Sequence, residues 1–341
     1  MEVQSIQEMV KNSINEIPTR YLVDQESVDK NSPPAAIPVL DMKSLLSEEG
    51  KTFQLEKLHS VCTDWGIFQL VNHGVDFSVV EKLKYEIQEF YELPLEERLR
   101  YKIRPGDVEG YGQTIILSPD QKVDWADRFY LLTNPIHRRK PHLLPELPSS
   151  FRETLEAYIS ELQKLARTIF ELIAKALKIE RIEVEEIFEN GMQSVRMTYY
   201  PPCPQPNKVI GLTPHSDASG ITILLQVNGV GGFQVKKDGI WMPVEILPDA
   251  FVVNLGDIIE ILSNGLYKSI EHRATVNSEK ERITTAMFFN PKFEAQVGPS
   301  RSIVVNQPPL FRCMKTEQYF KDFCSRKLNG KSFLDYMKIQ N

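Results

Sequence analysis

The feature that most limits the fold is the alternation of short apolar runs and turn-forming residues between Ser194 and Asn290. Short apolar and β-branched runs of four to nine residues are separated there by Gly, Asn, Asp and Pro, at 194–200, 221–227, 232–235, 241–244, 251–255, 269–275 and 282–290. Many short strands at this spacing indicate a closed or double-sheet β architecture, because closure removes the exposed strand edges that promote aggregation. This part of the chain is therefore predicted to form a β-barrel.

The first half of the chain has mainly helical periodicity. Phe151–Leu177 places apolar residues on one face over seven turns, which is typical of a helix that packs on a sheet. Shorter helical patterns cover 51–64 and 79–91, and two short strands are predicted at 37–41 and 65–71. We expect a helical N-terminal half that supports the barrel, and a further helix at 316–326.

Five regions follow from these patterns. They are a helical lead-in at 1–36 that ends in prolines, an N-terminal region at 37–150, a long supporting helix at 151–190, the barrel at 191–292, and a C-terminal segment with a helix at 293–341. Within the second region, residues 101–150 show little periodicity and several prolines. That stretch is predicted to be rich in loops, and long loops in compact proteins are often functional.

Composition excludes several classes of protein. The 341 residues carry 40 Lys and Arg against 46 Asp and Glu, a formal charge of −6, which argues against a nucleic-acid-binding surface. The longest apolar stretches, such as Ile221–Leu225, are far shorter than the roughly 20 residues of a membrane span, and the N-terminus does not resemble a signal peptide. The four cysteines form no close pair, so no disulfide framework or zinc site is indicated. We expect a soluble, cytoplasmic protein, monomeric by default, without nucleic-acid or membrane partners.

Two of the six histidines lie in segments that suit metal binding. His215 and Asp217 are two residues apart in an extended segment, so their side chains point the same way. His272 follows 55 residues after Asp217, in another strand-like run. Two imidazoles and one carboxylate on one face of a metal form the facial triad of non-haem Fe(II) oxygenases. A structural zinc site would need four ligands, and the sequence shows no evident fourth.

An arginine and a threonine suggest an anion site beside this triad. Arg282 lies ten residues after His272, and Thr284 follows it at the spacing that shares one face of a strand. An inward arginine in a barrel is costly unless an anion pairs with it, and a guanidinium beside a hydroxyl suits a carboxylate. Alone, the two residues would favour an exposed strand position; together with the triad they indicate a carboxylate site.

Ordered motifs extend over essentially the full length of the chain. They are IPVLD (37–41), DWGIFQLVNHGV (64–75), GYGQ (110–113), DWADRFY (124–130), MTYYPPCPQP (197–206), GLTPHSDASGITILLQ (211–226), FVVNLGDIIEILSNG (251–265), YKSIEHRA (267–274) and ERITTAMF (281–288). Through these motifs the chain resembles plant Fe(II)- and 2-oxoglutarate-dependent dioxygenases, above all the branch of senescence-related, norcoclaurine-synthase-like and morphinan O-demethylase-like enzymes. The resemblance implies a mainly β fold, with a double-stranded β-helix (jelly-roll, cupin-like) core supported by a helical N-terminal region.

The resemblance also implies roles for individual residues. Those that match the family's iron ligands, and hence its catalytic centre, are His215, Asp217 and His272. Those that match its 2-oxoglutarate site are Arg282, Thr284 and Tyr200. Two positions depart from the family pattern. Thr284 replaces the usual serine, keeping the hydroxyl and adding a methyl, whereas Thr198 replaces the usual asparagine and puts a second-sphere role of that amide in doubt.

The implied reaction couples the oxidative decarboxylation of 2-oxoglutarate to succinate and CO2 with oxidation of a small hydrophobic plant specialised metabolite. The cofactor is Fe(II), O2 is the other cosubstrate and ascorbate is the expected reductant. The metabolite would be an alkaloid, a phenylpropanoid or flavonoid, or a terpenoid, and the outcome hydroxylation, desaturation or O-/N-demethylation. Aromatic candidates for the substrate pocket, each of which could equally be a core residue, are Tyr111, Phe129, Phe233, Phe288 and Phe289.

Two other hypotheses remain open at this stage. One is a barrel that keeps the fold but binds a small hydrophobic metabolite or a protein without turnover, which the changes at Thr198 and Thr284 motivate. The other is an enzyme that uses ascorbate instead of 2-oxoglutarate, as ethylene-forming relatives do.

Overall fold

Two β-sheets form the centre of the fold in the computed structural model, which describes residues 5–12, 14, 16–24, 34–113 and 121–339. The strands are β1 (Val39–Asp41), β2 (Ile67–Val71), β3 (Gly110–Gly112), β4 (Asp127–Asn134), β5 (Gln193–Tyr200), β6 (Leu212–His215), β7 (Ile221–Gln226), β8 (Phe233–Lys237), β9 (Ile240–Pro243), β10 (Phe251–Leu255), β11 (His272–Ala274), β12 (Arg282–Phe289), β13 (Gln296–Val297) and β14 (Met314–Lys315). The larger sheet has the order β1-β2-β10-β7-β12-β5-β4-β3, and the smaller sheet the order β6-β11-β8-β9.

The larger and smaller sheets enclose a cavity between them. Lining residues from the larger sheet include Thr198, Tyr200, Thr222, Asn254 and Thr284, and those from the smaller sheet include His215, Phe233 and His272. Their immediate neighbours along the strands, such as Met197, Ile223 and Ile283, pack in the hydrophobic core on the opposite face, because successive strand residues point to opposite sides. This arrangement of mostly antiparallel strands is a jelly-roll core, as predicted.

Helices cover the outer side of the larger sheet. The α-helices are α1 (Ile6–Lys11), α2 (Met42–Leu46), α3 (Lys51–Asp64), α4 (Phe77–Glu92), α5 (Leu95–Leu99), α6 (Phe151–Leu177), α7 (Arg181–Phe188), α8 (Asp257–Leu262), α9 (Arg301–Val304), α10 (Thr316–Cys324) and α11 (Ser332–Met337). Helices α3 and α4 pack against α6, and the Tyr158 ring of α6 lies 6.4 Å from the Phe251 ring of β10. None of the helices in the described ranges combines the length and the apolar composition needed to cross a bilayer.

Most of the predicted elements are confirmed. The helices predicted at 51–64 and 151–177 are α3 and α6, and the strand runs predicted between 194 and 290 correspond to β5 and β7–β12. The helical lead-in is described only in part: it holds the short helix α1 and a 3-10 turn at Thr19–Tyr21, while residues 25–33 lie outside the described ranges. The division into five regions remains a prediction, and strands from 37–150 and from 191–292 share the larger sheet.

The stretch at 101–150 is more regular than predicted, because it contains the edge strand β3 and its neighbour β4. Burial along β4 alternates strictly between buried and half-buried residues. Its sequence, DRFYLLTN, nevertheless hides that alternation because bulky residues occupy both faces: Phe129 and Leu131 point into the core, while Arg128 and Tyr130 line the cavity. A strand covered on both sides does not show the polar–apolar pattern on which the prediction depended.

The motif at 124–130 also docks the N-terminal helix. The fully buried carboxylate of Asp127 accepts hydrogen bonds from the backbone N–H groups of Ile6 (2.9 Å) and Gln7 (3.0 Å) at the start of α1. The equally buried Arg98 donates to the Tyr111 hydroxyl at 2.7 Å. Tyr111 is therefore part of the packing that fastens α1 to the edge of the larger sheet.

Candidate metal centre and its cavity

His215, Asp217 and His272 meet inside the cavity between the two sheets. His215 ends β6 and His272 begins β11, and the two residues are direct partners in the antiparallel register. Asp217 Oδ1 lies 3.4 Å from His215 Nε2 and 3.9 Å from His272 Nε2. One ligand atom from each of the three buried residues lies within 4.8 Å of the others, a spacing that can hold one metal ion.

Backbone carbonyls orient the two imidazoles. Nδ1 of His215 lies 2.8 Å from the carbonyl oxygen of Thr213, and Nδ1 of His272 lies 3.2 Å from that of Ile270. Because a carbonyl oxygen only accepts, each Nδ1 carries the proton and donates it. Each Nε2 is then left with its lone pair, which is the tautomer that binds a metal.

Two side chains fix the carboxylate in the same way. The Oδ2 atom of Asp217 accepts from the Thr222 hydroxyl at 2.6 Å and from the Asn254 amide at 2.7 Å. The Oδ1 atom, which faces both imidazoles, is left for a metal. Thr222 and Asn254 were not predicted from the sequence, although Asn254 gives a signal: it interrupts the otherwise apolar strand β10, and a buried amide must find a hydrogen-bond partner.

The electrostatics of Asp217 and His272 suit a cation. Burial alone raises the pKa of Asp217, but the two imidazoles and the Thr222 hydroxyl outweigh it and hold that pKa well below its usual range. Burial, together with the charge of His215, lowers the pKa of His272 to about 4. At neutral pH the carboxylate is ionised and the His272 imidazole is neutral, as metal binding requires. Two imidazole nitrogens and one carboxylate oxygen fit Fe(II) and leave open coordination positions.

Substituting Thr222 with valine is expected to weaken Fe(II) binding about tenfold or more, because the groups that orient a metal ligand contribute on that scale. Anaerobic calorimetry with Fe(II) measures the effect. The matched control is Thr285→Val, since Thr285 is a buried threonine of β12 whose hydroxyl has no hydrogen-bond partner among the described residues. Equal loss of affinity in both variants would show that the Thr222 hydrogen bond does not position Asp217.

Arg282 lies at the start of β12, with its guanidinium in the same cavity. It is opposite Tyr200 in the register, and its Cζ lies 5.1 Å from the Tyr200 ring centre. Within the described ranges its buried Nε has no hydrogen-bond partner and no carboxylate forms an ion pair with the side chain. Burial lowers the pKa of this guanidinium. A buried cation without a protein anion is a site for a bound anion, and the distal carboxylate of 2-oxoglutarate fits it.

The two positions that depart from the family pattern lie side by side. Thr284 follows Arg282 on the same face of β12, and its register partner on β5 is Thr198. Both side chains are buried and both line the cavity. The methyl group added at Thr284 and the amide missing at Thr198 therefore occupy neighbouring space.

The inner cavity has a volume of about 290 Å³, and the C-terminal segment contributes to its wall through Phe320, Phe323, Cys324 and Leu328. An outer cavity of about 720 Å³ shares part of this wall, including Arg128, Arg196 and Leu328. The three clustered metal ligands, Arg282 and an aromatic wall therefore line one cavity.

Of the five aromatic residues predicted for the pocket, the structure brings two to the cavity. Phe288 lines it, and so does Phe233, whose ring centre lies 5.6 Å from that of His272. The other three are core residues outside the cavity lining, namely Tyr111, Phe129 and Phe289. The alternation of side chains along a strand explains why two of these residues face the core. Phe289 directly follows the cavity-lining Phe288, and Phe129 lies between the cavity-lining residues of β4.

Comparisons with known proteins agree with this geometry. A family profile described as the 2OG-Fe(II) oxygenase superfamily matches residues 191–291, and one described as the N-terminal region of non-haem dioxygenases in morphine synthesis matches residues 37–147. The chain is 49% identical to oxoglutarate-dependent flavonoid 7-O-demethylase 1 of Ocimum basilicum, over 100% of this chain and 92% of that protein. It is also 49% identical to codeine O-demethylase of Papaver somniferum, over 99% of this chain and 97% of that protein.

A solved structure gives the same result for the fold. The crystal structure described as JOX2 in complex with 2OG, Fe and JA superimposes with a TM-score of 0.91. It is 34% identical in sequence and covers 100% of this chain and 99% of its own.

Proposed function

The chain belongs to the 2OG-Fe(II) oxygenase superfamily, and from this premise we propose that it removes the methyl group from a methoxyl substituent of a flat, polycyclic specialised metabolite. As a member of this family it is an Fe(II)- and 2-oxoglutarate-dependent dioxygenase that couples formation of succinate and CO2 to oxidation of a small molecule. The 49% identity to two enzymes named as O-demethylases, one of them named as oxoglutarate-dependent, favours this reaction over a non-catalytic barrel and over an enzyme that uses ascorbate in place of 2-oxoglutarate.

One observation carries the proposal: a single cavity contains three convergent metal ligands, an apolar wall that includes Phe288, and Arg282, which has no ion-pair partner among the described residues. Such a cavity suits an aromatic substrate placed beside a metal and its cosubstrate. The choice of demethylation among the possible outcomes is supported by two relatives, which share 49% identity over nearly the full chain and are named as O-demethylases of a flavonoid and of codeine.

In the proposed mechanism, Nε2 of His215, Nε2 of His272 and Oδ1 of Asp217 hold the metal. When bound, Fe(II) supplies the oxidising chemistry by which O2 and 2-oxoglutarate hydroxylate the methyl carbon, and the hydroxymethyl ether then releases formaldehyde and a free hydroxyl group. Arg282 donates hydrogen bonds to the distal carboxylate of 2-oxoglutarate, in the bidentate geometry that guanidinium favours. Thr284 and Tyr200, which line the same cavity, would complete this site through their hydroxyl groups.

The cavity wall supplies orientation and excludes water. Leu224, Ala286 and Phe288 present apolar surface to the substrate side of the cavity. Phe320 and Phe323 of α10 close the wall from the C-terminal segment. A dry site of this kind protects the oxidation from side reactions with water and holds the methyl carbon near the metal.

The test is a screen of methoxylated flavonoids, alkaloids and terpenoids with Fe(II), 2-oxoglutarate and ascorbate, analysed by mass spectrometry. We expect a product that has lost one CH2 unit, with one formaldehyde released for each succinate formed. A substrate methylated with CD3 should release deuterated formaldehyde, which identifies the carbon that is attacked. Products that gain one oxygen or lose two hydrogens, without formaldehyde, would contradict demethylation while leaving the reaction class intact.

The same proposal includes ascorbate as the reductant that keeps the iron ferrous, a monomeric state and a cytosolic location. All four cysteines are free thiols, which supports a reducing compartment. Light scattering of the purified protein and the distribution of a fluorescent fusion test the last two points.

A further inference from the structure

Two arginines project from neighbouring strands into the cavity wall. Arg128 on β4 is the register partner of Thr198 on β5, and Arg196 on β5 is the partner of Tyr130 on β4. The two arginines are therefore diagonal neighbours on the same face of the larger sheet, within reach of long side chains. Both line the inner cavity and the outer cavity, so they lie where the two meet.

Within the described ranges no carboxylate forms an ion pair with either arginine, although the charge of Asp124 acts on Arg128. Arg196 forms no hydrogen bond or ion pair there through its side chain, and its Nε is buried without a partner. Arg128 donates only to the backbone carbonyls of Gln113 (3.1 Å) and Val108 (3.3 Å). Burial, reinforced by the charge of Arg196, lowers the pKa of Arg128 to about 10. Two half-buried guanidinium groups in one wall, neither of them in an ion pair, favour a bound anion.

The 2-oxoglutarate site does not supply that anion. Arg196 precedes Tyr200, the register partner of Arg282, by four residues of β5. Four residues of extended strand correspond to about 13 Å along β5, so a carboxylate bound at Arg282 is centred away from Arg196. Since no carboxylate among the described residues pairs with the two arginines, an anionic group of a ligand in the cavity is the partner that they favour.

The residues that line the outer cavity carry an excess of positive charge, as the arginine pair does. Seven Lys and Arg residues but only three Asp and Glu residues line the outer cavity, whereas the whole chain has a formal charge of −6. A cleft with a local excess of one sign concentrates ligands of the other.

We propose that Arg128 and Arg196 form a subsite that binds an acidic oxygen group of the substrate, either a carboxylate or an ionised phenol. The inference rests on the proposed function, because it places the substrate between this subsite and the metal. The guanidinium planes favour two parallel hydrogen bonds to such a group. The substrate is then a methoxylated aromatic compound with an acidic group at the end remote from the methyl carbon that is attacked.

Two pairs of fluorescent probes test this subsite. The protein is loaded with 2-oxoglutarate and with Mn(II), because Mn(II) occupies the metal site without supporting turnover. The first pair is 7-methoxycoumarin-3-carboxylic acid and its primary amide. The second is 7-hydroxycoumarin and 7-methoxycoumarin, compared above the pKa of the hydroxyl group. Within at least one pair we expect the anion to bind about tenfold more tightly than its neutral partner, the scale of a hydrogen bond to a charged group. The pair that shows the preference identifies the source of the anion.

The variants Arg128→Gln and Arg196→Gln should each lower this preference about tenfold, whereas Arg104→Gln, which removes an exposed charge outside both cavities, should leave it unchanged. If Arg128→Gln fails to fold, because it loses two hydrogen bonds, Arg196→Gln still decides the question. Equal affinities within both pairs, or no binding of either anion, would overturn the subsite. Formaldehyde release is not measured here, so failure of demethylation and failure of the subsite remain distinguishable.

Discussion

Replacement of His272 by alanine is expected to abolish Fe(II) binding and to reduce succinate formation to background. His272 supplies one of the two imidazole nitrogens that converge with Asp217, and its Nδ1 is already committed to the carbonyl of Ile270. No other histidine, cysteine or carboxylate among the described residues joins this cluster, so nothing replaces the lost ligand. The measurement is anaerobic calorimetry with Fe(II), followed by a succinate assay with 2-oxoglutarate and O2.

The matched control is His142→Ala, because His142 is exposed and distant in sequence from the site. It should bind Fe(II) and form succinate at the rate of the unmodified protein. Thermal unfolding of both variants separates loss of the metal from loss of the fold. Turnover retained in folded His272→Ala would refute the assignment of this residue as a ligand.

The second large effect is expected for Arg282→Lys, which should raise the KM for 2-oxoglutarate at least about tenfold. Lysine keeps the positive charge but offers a single point of contact, so the two parallel hydrogen bonds of the guanidinium are lost. Hydrogen bonds to a charged group contribute about 1.5–3 kcal/mol, which corresponds to roughly ten- to a hundredfold in affinity. Steady-state kinetics with 2-oxoglutarate as the varied substrate measure the change.

Arg104→Lys is the control for this exchange, because Arg104 is exposed and lies outside both cavities. Its KM for 2-oxoglutarate should equal that of the unmodified protein. Binding of Fe(II) without 2-oxoglutarate should be retained in Arg282→Lys, since Arg282 is not among the clustered ligands. An unchanged KM in this variant would mean that the distal carboxylate binds elsewhere.

The metal cluster was predictable because its geometry is encoded locally. A spacing of two in an extended segment placed His215 and Asp217 on one side, and the structure pairs His215 directly with His272 across β6 and β11. The same spacing placed Arg282 and Thr284 on one face of β12. These inferences needed only the period of a β-strand.

The surroundings of the cluster were harder to predict because they depend on which strands become neighbours. Thr222 and Asn254 reach Asp217 from β7 and β10, and no local spacing relates them to the HxD motif. The strand β4 escaped prediction for another reason, since it is covered on both faces and carries bulky residues on each. Without β4, the inward direction of Arg128 could not be deduced.

The two-residue period of a strand was enough to exclude one of the residues wrongly predicted to line the pocket. Phe288 shares the parity of Arg282, so Phe289 had to face the core, as it does. Tyr111 was proposed for the pocket because the glycines on either side of it in an irregular stretch would allow close approach, yet this segment is the edge strand β3 and its tyrosine accepts a hydrogen bond from Arg98. A tertiary contact of this kind, with a partner 13 residues away, has no signature in the sequence.

The most direct test of this account is an anaerobic titration of the protein with Fe(II) and 2-oxoglutarate, monitored by visible absorption. Chelation of a ferrous ion by a 2-oxo acid produces a charge-transfer band. The account predicts that this band saturates at one Fe(II) and one 2-oxoglutarate per chain, is absent in His272→Ala and requires more 2-oxoglutarate in Arg282→Lys. A band of full intensity in His272→Ala, or no band in the unmodified protein, would contradict it.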